Sequence, residues 1–130
     1  MTHRFDAATA PLPGALDLAP AETQRVLRAA DRYVLEGPRT VTSASSPRSA
    51  GGPHDFFSEG DYWWPDPERP RSPYIQRDGL TNPHNFVEHR RALMRLSVQL
   101  PALVAALSLT GDERYADHAS LFVCVWFFFE

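Results

Sequence analysis

The chain has 130 residues, about one small domain, and its 13 basic and 16 acidic side chains give a formal net charge of −3. A charge so close to neutral argues against a nucleic-acid-binding protein, which usually carries a strongly basic face. Cys124 is the only cysteine, which excludes an internal disulfide and a multi-cysteine zinc site. The longest apolar run, residues 121–129, is shorter than the ~20 residues that a membrane span needs. We therefore expect neither a nucleic acid nor a membrane as partner.

Residues 1–19 are predicted to be irregular, and they contain no apolar run of signal-peptide length. The first helix is predicted over Pro20–Glu36, because proline suits the first helical position and Gly37 begins a stop signal. Its apolar residues recur at helical spacing and define one face. These residues are Val26, Leu27, Ala30, Tyr33 and Val34.

A second helix is predicted from about Pro83 to Leu109, with Asn82 as its N-cap. Pro101 is expected to kink or divide it, since proline removes an amide donor. One stripe of this helix is predicted to comprise Phe86, His89, Leu93, Leu96, Leu100, Leu103 and Leu107.

A third helix is predicted after Gly111, with Asp112 as its N-cap. Tyr115, Ala119, Phe122 and Trp126 are spaced for one face. Two helices joined by so tight a turn are typical of an α-hairpin in a helical array. The apolar run at 121–129 favours the N-terminal piece of a longer protein, and a buried terminal helix or strand is the alternative.

The segment between the first two helices is different, because 13 of its 47 residues, 37–83, are proline or glycine. Residues 40–52 are polar and are expected to form a mobile surface loop. Residues 54–82 are rich in aromatic and acidic side chains, and long loops of this kind are usually functional. Five carboxylates in it could bind a cation beside His54, although solvated or turn-forming acids are the favoured interpretation. They are Asp55, Glu59, Asp61, Asp66 and Glu68.

The three adjacent aromatics Tyr62, Trp63 and Trp64 cannot all pack into one core face. At least one is expected to face a groove, where a flat ring could stack on a sugar. The equally weighted alternative is that Trp63 and Trp64 attach the loop to the helices. Tyr74 is a further platform candidate.

Three polar residues follow that could contact carboxylates or hydroxyls of a ligand. Arg77 could bind a carboxylate through two parallel hydrogen bonds. His89 lies within the predicted apolar stripe, and a hydrogen-bonded core histidine is the favoured alternative. For Arg90 the favoured alternative is a place on the polar side of the helix.

Two longer motifs carry a resemblance to a known family. They are SEGDYWWPDP at residues 58–67 and RDGLTNPHNFVEHR at residues 77–90, and LTGDERY at 109–115 follows them. With the sequence around them, roughly Ser49–Phe127, they resemble the N-terminal part of bacterial alginate-lyase-domain proteins.

The resemblance implies an all-α fold, with residues 20–130 forming an incomplete α/α toroid of helical hairpins that carries a long proline- and aromatic-rich loop. It also implies β-elimination of an acidic polysaccharide, alginate or a glucuronan-like polymer, in the periplasm or outside the cell. No cofactor or metal is implied. The family's catalytic residues belong to later helices, so no catalytic residue is assigned and the chain is expected to be an inactive, C-terminally truncated fragment.

Two other functions stay open at this point. A non-catalytic carbohydrate-binding module would fold alone and bind sugar polymers. An α/α-toroid glycoside hydrolase would need a pair of catalytic carboxylates, for which the acids of residues 55–68 are the candidates.

Overall fold

The computed structural model describes residues 19–69 and 72–128, and within them the chain is mostly helical. The helices are α1 (Pro20–Val34), α2 (Glu88–Thr110) and α3 (Glu113–Phe127), and a short 3-10 helix covers Val41–Ser43. Strands β1 (Trp63–Trp64) and β2 (Ile75–Gln76) pair in antiparallel fashion. The prediction of a mainly helical fold is confirmed. The irregular segment predicted for residues 1–19 lies, except for its last residue, outside the described part.

The first helix begins at Pro20 as predicted and ends two residues early, at Val34. The backbone N–H groups of Leu35 and Glu36 each donate over 3.1 Å to carbonyls of the preceding turn, which closes the helix.

The predicted start of the second helix is wrong. α2 begins at Glu88; Pro83 and His84 form a turn, Asn85 a bend, and Phe86 and Val87 have no regular structure. Asn82 therefore does not cap α2. Pro101 does not divide the helix, which continues to Thr110 at the loss of one backbone donor, and the alternative of a kink at Pro101 stays a prediction.

The turn between α2 and α3 follows the prediction. Gly111 has a φ of +68°, a left-handed conformation that favours glycine, and its N–H donates to Leu107 O over 2.7 Å. Asp112 Oδ1 accepts from the backbone N–H of Arg114 over 3.0 Å, which is the expected capping bond of α3.

The described chain divides into two compact units. The first contains residues 19–37 and 98–124, and the second contains residues 38–97, apart from 70–71, and 125–128. In the first unit all three helices contribute to one apolar core. Its buried members are Ala30, Tyr33, Leu103, Ala106 and Tyr115.

The buried side of α2 differs from the predicted stripe. Its buried residues recur three and four positions apart, as expected for one helical face, but Leu93 is exposed. They are His89, Ala92, Leu96, Gln99, Leu103 and Ala106. By length and composition alone, α2 is the one helix among the described residues that could cross a membrane. That is weak evidence, because core helices of soluble proteins pass the same test.

Candidate functional site

The two short strands of the second unit present the aromatic motif. Trp63 lies opposite Gln76 and Trp64 opposite Ile75, and the N–H of Arg77 donates to Tyr62 O over 2.8 Å. Because successive side chains of a strand point to opposite faces, the two indoles lie on opposite faces of the pair.

The three adjacent aromatics have different environments. The side chains of Tyr62 and Trp63 are 46% and 42% exposed. Trp64 is held in place, since its Nε1 donates to Leu80 O over 3.2 Å and the Arg77 guanidinium lies 5.0 Å from its ring centre. Trp64 thus attaches the loop, whereas Tyr62 and Trp63 are accessible to a ligand. That they contact sugar stays a prediction.

The turn that precedes β1 is held by two asparagines. Asn85 Nδ2 donates to Gly60 O over 2.7 Å and to Trp63 O over 2.9 Å. Asn82 Nδ2 donates to Asn85 Oδ1 over 2.8 Å, and its backbone N–H donates to Asp61 O over 2.8 Å. Asn82, which was predicted to cap the second helix, therefore holds the aromatic turn together with Asn85 instead.

Glu59 is the most buried acid of this region, with 4% of its surface exposed. Its carboxylate accepts two hydrogen bonds from the guanidinium of Arg48, one of them over 2.6 Å. It also accepts from the hydroxyl of Tyr74 and, over 2.6 Å, from the backbone N–H of Phe86. Glu59 N–H donates to Phe86 O over 3.0 Å. The interpretation of Glu59 as a solvated acid or cation ligand is wrong.

These contacts change the acidity of the buried groups. Burial by itself would raise the pKa of Glu59, but the hydrogen bonds from Arg48, Phe86 and Tyr74, and the charge of Arg48, outweigh it and lower the pKa to about 2. Burial and the bond to Glu59 raise the pKa of the Tyr74 hydroxyl. At ordinary pH the site therefore contains an ionised Arg48–Glu59 pair, in which the two charges compensate each other, and an uncharged Tyr74 hydroxyl.

The polar segment before Glu59 is also attached rather than loose. Thr40 is buried and caps the 3-10 helix, with its hydroxyl accepting from Thr42 N over 3.2 Å. Arg48 Nη2 donates to His84 O over 3.1 Å. Residues 40–52 thus lie largely at the surface and are bonded, through Arg48, to the residues that precede α2. Their mobility stays a prediction.

His89 is 4% exposed, and both of its ring nitrogens have backbone partners. Nδ1 accepts from Phe57 N over 3.0 Å, so the ring proton is placed on Nε2, which donates to Ala44 O over 2.8 Å. Phe86 packs edge-on against the imidazole at 4.8 Å. This is the arrangement of a hydrogen-bonded core histidine, and a ligand contact by His89 stays a prediction.

The two arginine candidates differ in availability. Arg90 Nη2 donates to Asp61 Oδ1 over 2.6 Å. Arg77 is exposed and has no ion pair with any carboxylate of the described residues. The carboxylate of its neighbour Asp78 accepts a hydrogen bond from Gln76 Nε2 over 2.7 Å. Arg77 therefore offers a charge to an incoming anion, whereas Arg90 would have to exchange a partner.

A groove of about 440 Å³ runs between residues 44–48 and 83–88. Arg48, His84 and Glu88 are its charged or titratable lining residues. Among the residues that the structure describes, no three histidine, cysteine or acidic side chains come together as a metal site. Each of the loop acids Asp55 and Asp66 accepts a bond from a nearby backbone N–H.

Sequence reasoning missed Arg48 and Asn85 as parts of this site. Arg48 lies in a serine- and proline-rich stretch with no motif of its own, so no local signal marks it. Asn85 stands within a recognised motif, but its partners lie 22 and 25 residues earlier in the chain.

Comparisons with known proteins indicate the family of the chain. The family model described as alginate lyase matches residues 40–129. Among solved structures, the chain is similar to a crystal structure of an alginate lyase from Bacteroides ovatus, with 38% sequence identity and a TM-score of 0.67. That match covers 81% of this chain and 28% of the other, so the chain spans under a third of that enzyme's length. No curated protein matches. Because the family model covers more than half of its residues, the chain belongs to the alginate lyase family.

Proposed function

We propose that the chain contributes the N-terminal helices and the aromatic loop to a polysaccharide lyase that cleaves uronic acid polymers by β-elimination. The observation that carries the proposal is that a half-exposed Trp63 and an exposed Arg77 lie at one strand pair, on its two faces, in a member of the alginate lyase family. Arg77 has no ion pair with a carboxylate of the described residues. In the finer form of the proposal, the helices belong to an α/α toroid that acts in the periplasm or outside the cell.

The substrate class follows from the chemistry of these two side chains. An indole face stacks on the C–H face of a sugar ring, and a guanidinium binds a carboxylate through two parallel hydrogen bonds. A polymer of uronic acids offers both groups, a sugar face to Trp63 and a carboxylate to Arg77 on the other face of the strand pair. Tyr62 is a second exposed ring that can stack on a sugar. The hydroxyl of Tyr74 donates a hydrogen bond to Glu59.

β-Elimination needs three functions: neutralisation of the C6 carboxylate, a base for the C5 proton, and an acid for the leaving O4. Arg77 is suited to hold a carboxylate, and Arg90 could do so if Asp61 releases it. The base and the acid are not assigned to any residue of this chain. The chain by itself is therefore proposed to bind the polymer without cleaving it.

The test combines binding and turnover. Oligomers of alginate and of glucuronan are titrated into the 130-residue chain while tryptophan fluorescence is recorded, and unsaturated-uronate absorbance is followed in the same samples. We expect binding without turnover, and Trp63→Ala should weaken binding by about 1 kcal/mol, roughly fivefold. The matched control is Trp126→Phe, which should bind normally.

The binding measurements distinguish the proposed function from a carbohydrate-binding module of another specificity. Absence of binding to every polyuronate would contradict the proposal. Tight binding of neutral glucan oligomers in preference to polyuronates would favour a carbohydrate-binding module of another specificity.

A further inference from the structure

The aromatic turn depends on a buried amide. Asn85 is 8% exposed, and its Nδ2 donates to the carbonyls of Gly60 and Trp63, the first and last residues of the turn. The turn's own bond runs between the same two residues, from Trp63 N to Gly60 O over 3.1 Å. One side-chain amide thus holds both ends of the turn that carries the indole.

The orientation of this amide is itself determined. Asn82 Nδ2 donates to Asn85 Oδ1, and Asn82 Oδ1 accepts from His84 N over 3.0 Å. If the Asn85 amide rotated by half a turn, its oxygen would face the two carbonyl oxygens and its NH₂ would face the NH₂ of Asn82. Every polar contact would then be repulsive, so the observed orientation is the one that the surroundings allow.

The position of the turn decides the position of the indole. A Cβ placed on Gly60 would lie 2.6 Å from Trp63 Cδ1, so the ring packs directly over the turn. A shift of the Gly60 and Trp63 carbonyls therefore moves the ring with the backbone.

We infer that Asn85 is a positioning residue that sets the orientation of Trp63 for sugar binding, without touching the sugar itself. This inference rests on the proposed function, because it assigns Asn85 a role only through the stacking ring. The role requires an amide: a carboxylate of the same shape has no donor for the two carbonyl oxygens.

The experiment labels the 130-residue chain with 5-fluorotryptophan. Its three tryptophans give three fluorine resonances, which are assigned by single Trp→Phe variants. We expect Asn85→Asp to move the Trp63 resonance, to leave the Trp126 resonance in place, and to weaken binding of alginate oligomers about tenfold.

The matched control is Gln99→Glu, the same amide-to-carboxylate change at a buried residue of the other unit, where the amide donates to Glu36 Oε2 over 2.8 Å. It should lower stability but leave the Trp63 resonance and the affinity unchanged. If Asn85→Asp does not fold, Asn85→Ser, which keeps one donor, should show the same changes to a smaller extent.

An unmoved Trp63 resonance in a folded Asn85 variant would overturn the inference. So would normal oligomer binding by Asn85→Asp when Trp63→Ala binds weakly. If the unaltered chain binds no polyuronate, the proposed function fails, and the fluorine resonances still decide whether Asn85 positions Trp63.

Discussion

The guanidinium of Arg48 donates two hydrogen bonds to the carboxylate of Glu59, eleven residues later, and so neutralises an acid that is almost fully buried. This pair, with the bonds from Tyr74 and Phe86, joins four separate stretches of the second unit. An uncompensated buried charge is costly, so the pair should act as a unit.

Removing the cation should therefore destabilise the chain. Arg48→Met leaves the Glu59 carboxylate buried with neutral donors only, and we expect the free energy of unfolding to fall by about 2–3 kcal/mol. Urea titration measures it. The control is Arg25→Met, which removes an exposed pair with Glu22 and should change stability by less than about 1 kcal/mol. Equal effects of the two variants would contradict the role given to the buried pair.

The depressed acidity of Glu59 predicts a pH dependence with a definite sign. The pKa is about 2 in the folded protein and 4.5 for the ordinary group, so between these values the unfolded chain binds more protons. The contribution is complete above about pH 5 and is lost as the pH falls towards 2, by about 3 kcal/mol in total. Unfolding measured from pH 6 to pH 2 should show this loss in the unaltered chain. A Glu59→Gln variant with the same acid-induced loss would refute it.

Gly60 should be intolerant of a side chain. Because a Cβ there would lie 2.6 Å from the indole of Trp63, Gly60→Ala must displace the ring. We expect an altered Trp63 fluorescence environment and weaker oligomer binding. Gly37→Ala is the control, since nothing lies within 4 Å of a Cβ at that position. Identical spectra and affinities for Gly60→Ala and the unaltered chain would count against the close approach.

Arg77 should confer preference for charged sugars. Arg77→Gln is expected to weaken polyuronate binding about tenfold at low salt and to leave neutral glucan oligomers unaffected, because only the former offer a carboxylate. Arg77→Lys keeps the charge but loses the planar fork and should recover part of the affinity. The measurement is fluorescence titration at two salt concentrations. A loss that is equal for charged and neutral oligomers would argue that Arg77 acts only by packing on Trp64.

The first unit offers an independent stability test. The hydroxyl of buried Tyr115 donates to Asp31 Oδ1 over 2.9 Å and accepts a long bond, over 3.4 Å, from Arg114 Nη2, so Tyr115→Phe should cost about 1 kcal/mol. Leu103→Ala opens a cavity in the same core and should cost about 2–5 kcal/mol. Urea titration of both variants should rank them in this order, and the reverse order would contradict the assignment of the core.

The local patterns of the sequence predicted the helices well. Local spacing predicts the apolar face of α1, the glycine turn at Gly111 and the cap at Asp112. Each of these features depends on residues close to one another in the chain, so the sequence alone indicates it. The SEGDYWWPDP and RDGLTNPHNFVEHR motifs also indicated the family that the comparisons establish.

The contacts of the candidate site depended on the tertiary structure. Arg48 meets Glu59 across 11 residues, Asn85 meets Gly60 across 25, and His89 meets Ala44 across 45. For this reason Glu59 looked like a solvated acid and Asn82 like a helix cap, although folding gives both of them buried partners. The composition indicated a globular chain, and the spacing of its apolar residues predicted the helices. The path of residues 38–69 and 72–87 decided which polar groups are buried. A buried polar group needs a hydrogen-bond partner, and this path brings the partner to it.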